Sequence, residues 1–92
     1  MDANSVCRQT VTVTLKEGLH LVPCSEIART AAEFAGEVRV IAGAKQADAK
    51  SPMELMSLGA DYGTRLTVEA VGQNAEEVVA KLVDLFRANF AA

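Results

Sequence analysis

Ninety-two residues, half of them hydrophobic and 23% charged, describe one ordinary globular domain with a single core, neither disordered nor collagen-like. A net charge of −3, no Lys/Arg cluster and only 4% aromatics exclude an electrostatic footprint for nucleic acid or an anionic membrane, and argue against base stacking. The start, Met1-Asp2-Ala3-Asn4-Ser5, lacks the basic and apolar regions of a signal peptide, and no apolar run approaches membrane-spanning length. A cytoplasmic protein is therefore expected, with residues 1–6 as a mobile tail of a domain spanning 1–92.

Val11, Val13 and Leu15 alternate with Thr10, Thr12 and Thr14, the period of a half-buried strand rich in β-branched residues. From Leu21 to Phe34 the period becomes helical, with Cys24, Ile27, Ala28, Ala31 and Phe34 or Ala35 on one stripe and Gly36 as the expected stop. Residues 37–42 resume alternation as a second strand. A Gly43-Ala44 turn leads to a short, polar, lysine-bearing edge strand over 45–49. Ser51-Pro52-Met53-Glu54 is a helix start: Ser as N-cap, Pro at the first helical position, Glu three residues on as in a capping box. That short helix runs to Ser57 or Leu58 and ends at Gly59. Asp61-Tyr62-Gly63 is a turn, and 64–71 alternates as a fourth strand. In the last helix Asn74 is the expected N-cap, Ala75, Val78, Val79, Leu82, Phe86 and Phe90 the apolar stripe, and Glu77–Lys81 an i,i+4 pair.

The order β-α-β-β-α-β-α leaves each long helix only the apolar sheet face on which to bury its stripe, which makes an α+β open-faced sandwich. The right-handed crossover rule lets the fourth strand insert antiparallel between the first and second, a split βαβ arrangement.

The lone histidine, His20, falls where the first strand turns into the first helix. Gly18 can take the positive φ of a sharp turn, and Pro23 suits a first helical turn. An imidazole at a helix N-terminus lies beside unpaired N–H groups and the positive end of the dipole, a place for an anion and for phosphate above all. Cys24, four residues on, raises an enzymatic alternative, a Cys–His nucleophilic pair, because thiol pKa values fall at helix N-termini. No orienting or oxyanion-stabilising group accompanies it. Along a strand over 7–15, Cys7 would lie about 26 Å from the end near Cys24, at about 3.3 Å per residue. A disulfide tolerates about 7 Å, so none is expected. One histidine and two distant cysteines make no zinc site, and no cofactor is expected.

Two separated stretches resemble the histidine-containing phosphocarrier family, HPr, of the phosphoenolpyruvate-dependent sugar phosphotransferase system. Gly18-Leu19-His20 with Pro23 is similar to its active-site loop, and Lys50-Ser51-Pro52-Met53 through Met56-Ser57-Leu58-Gly59 to its regulatory-serine segment. Element order agrees over about residues 8–90. The resemblance implies an HPr-like sandwich, a four-stranded antiparallel sheet with three helices on one face. It implies a carrier in which His20 takes a phosphoryl group from phospho-Enzyme I and passes it to an Enzyme II A domain, the amides of Leu21 and Val22 holding the phosphate oxygens. Leu21, Val22, Pro52, Met53 and Met56 would form the partner face, with at least one methionine exposed. In the family subset with an HPr kinase/phosphorylase, the residue matching Ser51 is phosphorylated, and the added charge weakens docking. The alternative is a non-catalytic regulatory module on the same fold.

Val22 departs from the pattern, because the family motif has arginine there. The missing guanidinium implies transfer slowed rather than abolished, a changed partner, or an arginine supplied from elsewhere. Leu21 and Cys24 also replace smaller residues, and Pro52 an apolar one.

Overall fold

The computed structural model describes residues 5–91. Strands β1 (Val6–Thr12), β2 (Glu37–Ala42), β3 (Lys45–Asp48) and β4 (Arg65–Val71) form one sheet, and helices α1 (Leu21–Ala32), α2 (Pro52–Ser57) and α3 (Ala75–Arg87) complete the order β-α-β-β-α-β-α. Strand order is β1-β4-β2-β3 with every pairing antiparallel, so β4 does insert between β1 and β2. Leu66, Val68 and Ala70 of β4 and Val38 and Val40 of β2 point to one face, where Ile27, Leu55 and Leu82 of the three helices cover them. Burying a side chain of that size stabilises the fold by about 1.5–3 kcal/mol each. Among the described residues no helix is long and apolar enough to cross a membrane.

Several local expectations need correction. Val6 already belongs to β1, paired with Val71, so the tail expected over 1–6 does not extend to it, and residues 1–4 lie outside the described residues. At the other end β1 stops at Thr12, whose partner Arg65 is the first residue of β4; beyond it the Val13 backbone bonds to Thr64 and Gly63. Helix α1 ends at Ala32, and the N–H groups of Glu33 and Phe34 close a tighter last turn onto Thr30 and Ala31. Gly36 is thus not the helix stop. A Cβ there would meet the Val71 carbonyl oxygen at 2.2 Å, so glycine is needed where two backbones touch.

Ser51 caps α2 by accepting the Glu54 N–H at 3.2 Å, but the reciprocal half of the box is absent: the Glu54 carboxylate accepts from Asp48 N–H at 3.0 Å. The β3–α2 turn has brought that amide nearer than Ser51's own, which donates to the Asp48 carbonyl. Asn74 takes the N-cap position of α3 without a side-chain cap, because its backbone is left-handed (φ 68°). Lys81 reaches across to Glu33, the C-cap of α1, at 3.4 Å instead of pairing with Glu77.

Candidate functional site

The loop that carries His20 is built from the backbone outward. Gly18 has φ +72°, and its N–H closes a turn onto the Leu15 carbonyl at 3.0 Å. Leu19 is buried and its N–H donates to the Ala60 carbonyl at 2.9 Å. A Cβ on Gly18 would lie 2.6 Å from that same oxygen. The loop is therefore pressed against the segment that follows α2. Ala60 is a contributor that sequence reasoning missed, since a carbonyl oxygen leaves no side-chain signature.

His20 follows as the N-cap of α1, extended (φ −98°, ψ −170°), exposed, and without a side-chain cap. Its carbonyl accepts the Cys24 N–H at 3.1 Å. Pro23 has no N–H, which leaves Leu21 and Val22 as the amides of the first turn with no hydrogen-bond partner among the described residues. The first turn of α1 holds no acidic residue, whereas α2 has Glu54 and α3 has Glu76 and Glu77 there. The positive end of the α1 dipole is left uncompensated by its own carboxylates.

Cys24 is fully buried, and burial pushes its thiol up from 9.0 to about 11. Desolvation outweighs the helix terminus, so the thiolate is scarce and the Cys–His alternative loses its nucleophile. Cys7 and Cys24 are both free.

Leu21, Val22, Met53 and Met56 are all exposed, Val22 to 61% and Met53 to 76%. They lie on α1 and α2, which pack against each other. Pro52 is half-buried at the start of α2. Ser51 is half-buried, its oxygen engaged in the cap. Lys50 beside it donates to the Phe34 carbonyl at 2.7 Å, tying the α2 segment to the end of α1. Three surface grooves lie away from His20: between the end of α1 and the start of α3, along β2 and β3 as far as Lys50 and Glu54, and between β1 and α3.

An open-faced sandwich with its single imidazole in solvent at a helix start without acidic residues defines a small α+β protein whose reactive side chain stands at the surface. Residues 7–88 match the family model for the PTS HPr component phosphorylation site. The chain belongs to the HPr family, and its role is that of a phosphocarrier in the phosphotransferase system. It is 36% identical over 67 residues to phosphocarrier protein HPr of Mycoplasma capricolum subsp. capricolum, covering 73% of this chain and 75% of that one. With the Vibrio cholerae serotype O1 phosphocarrier protein HPr it shares 37% over 75 residues, 82% of this chain and 88% of the other. Its fold is similar to the crystal structure of HPr-C-His from Thermoanaerobacter tengcongensis, with a TM-score of 0.86 and 34% identity over 91% of this chain and 94% of that one.

Proposed function

We propose that His20 accepts a phosphoryl group from phospho-Enzyme I and passes it to an Enzyme II A domain. The observation that carries this reading is the exposed imidazole capping a helix whose first two amides have no partner among the described residues and whose first turn has no acid. A ring nitrogen lone pair attacks phosphorus, and the donor's bond to phosphorus breaks as the new N–P bond forms. The three phosphoryl oxygens carry the negative charge toward the amides of Leu21 and Val22, which are already oriented and need no reorganisation. The N–P bond is labile, so the second transfer repeats the first with His20 as the leaving group.

Leu21, Val22, Met53 and Met56, with Pro52, form the docking face for both partners in this reading. Apolar side chains around a charged reaction centre suit a protein surface that must approach closely and then release, and methionine adapts to more than one partner. Val22 supplies no cation, so transfer runs below the rate an arginine at that position gives. Ser51 is the proposed regulatory site for an HPr kinase/phosphorylase: a phosphate there adds negative charge beside Glu54 and at the edge of the docking face.

Incubation with Enzyme I and phosphoenolpyruvate tests the reading. An acid-labile, base-stable phosphate that disappears in His20→Ala supports the carrier, whereas binding to Enzyme I without any label points to the non-catalytic module. For Ser51 the corresponding observation is an acid-stable phosphoserine in cells, and its absence under all sugar regimes leaves only the cap.

A further inference from the structure

Two consecutive residues beyond α3 adopt left-handed backbone, Asn89 (φ 55°) and Phe90 (φ 57°). Asparagine tolerates this conformation; for phenylalanine it is strained. The Phe90 N–H donates to the Leu85 carbonyl at 2.8 Å, and its ring meets Phe86 edge to face with centroids 5.0 Å apart, which offsets the strain. The turn directs the Asn89 side chain to Thr14. There Asn89 Nδ2 donates to the Thr14 carbonyl at 3.2 Å, and Thr14 Oγ1 donates to Asn89 Oδ1 at 2.6 Å.

Thr14 is where the chain has just left the sheet, two residues past the last pair of the β1–β4 ladder. The next contacts along the chain are Gly18 N–H to the Leu15 carbonyl and Leu19 N–H to the Ala60 carbonyl, and His20 follows. Of these links between the C-terminal turn and the imidazole, only the first is made by side chains.

We propose that Asn89 is a positioning residue for His20: its side chain fixes the point from which the loop bearing the imidazole departs. The proposal rests on the reading of His20 as the phosphoacceptor. It assigns the C-terminal turn a part in transfer, although Asn89 touches neither the phosphoryl group nor a partner.

The test is Asn89→Gly, which keeps the left-handed backbone and removes both side-chain bonds, beside Thr14→Val and the double variant. Amide hydrogen exchange at Gly18 and Leu19 becomes about tenfold faster in Asn89→Gly, with the double variant no faster and the α3 core amides unchanged. This arm is independent of phosphoryl transfer. In the Enzyme I assay, kcat falls about fivefold at unchanged KM, because the docking side chains stay while the nucleophile is less well held. Unchanged exchange at Gly18 and Leu19, a change in KM alone, or a lowered melting temperature with kcat intact overturns the proposal. Absence of label on His20 in the wild type is a different failure, since it removes the phosphoacceptor reading itself and the positioning role with it.

Discussion

Val22 exposes 61% of its surface in the first turn of α1, two residues after His20. A longer side chain there enters solvent, not the core, so Val22→Arg is sterically free and adds a cation beside the phosphoryl oxygens. Charge-assisted hydrogen bonds of that kind contribute about 1.5–3 kcal/mol, so the transfer rate is expected to rise about tenfold or more. Single-turnover phosphorylation measures it, and no gain means another group already fills the place. Two residues on, Cys24 shows how opposing effects are settled by burial. Its thiol is held at about 11 against an ordinary 9.0, so the folded state keeps the proton that the unfolded chain gives up. Its contribution to stability is complete below pH 9 and is lost as pH rises to about 11, on the order of 2 kcal/mol over that window. Urea denaturation from pH 8 to 11 should show a steeper loss in the wild type than in Cys24→Ala, and equal slopes would contradict this. The position of His20 at the start of α1 was legible in the sequence because a lone histidine stood between a period of two and a period of 3.6. Cys24 already stood on the stripe expected to bury on the sheet; which effect wins at its thiol was not legible, because a helix N-terminus and burial shift it in opposite directions.

The elements were legible wherever a side-chain pattern caused them, and less so at their ends. Residues 37–42 alternate and form β2 over that same span, and Ser51-Pro52 starts α2 as the cap rules require. Helix α1 stops short of Gly36 because its end is set by packing: Phe34 folds over Gly36 and Gly72, and Lys50 takes the Phe34 carbonyl. A sequence shows the glycine but not the Val71 oxygen 2.2 Å from its absent Cβ. Gly36→Ala is accordingly expected to destabilise by about 1–3 kcal/mol through overpacking, although alanine is the better residue in most settings. Thermal denaturation reads it, and a melting temperature equal to the wild type would show that β2 and β4 can part at no cost. The Glu77–Lys81 pair failed for a related reason, and Asn74 took the expected N-cap position without its side-chain bond. Local rules name the nearest partner in the chain, whereas Glu33 lies just past the end of another helix and the left-handed Asn74 backbone leaves no side-chain cap.

At the scale of the molecule, the order of elements and the crossover rule were enough to place β4 between β1 and β2, because few topologies bury both long helices on one face. The opposite face was not legible. There Glu69 of β4 stands in register with Arg8 on β1 and Arg39 on β2, and Asp48 of β3 continues the row beyond Arg39. Glu69 is ion-paired to both arginines and is 7% exposed, a carboxylate buried beneath its partners on the uncovered side of the sheet. Arg8 remains largely in water, but Arg39 Nε is buried with Glu69 as its ion-pair partner, so Glu69→Ala is expected to cost about 1–3 kcal/mol. The difference should shrink in 1 M salt, which screens the pairs; a salt-independent loss would assign the effect to packing alone. The phosphoacceptor role of His20 is decided by where the phosphorus goes, and NMR of the protein before and after treatment with Enzyme I and phosphoenolpyruvate reads that directly. The predicted result is a phosphorus coupling to a His20 ring nitrogen, with the largest downfield shifts at the Leu21 and Val22 amides. A phosphoryl group on another residue, or one on His20 that leaves both amides unmoved, would contradict it.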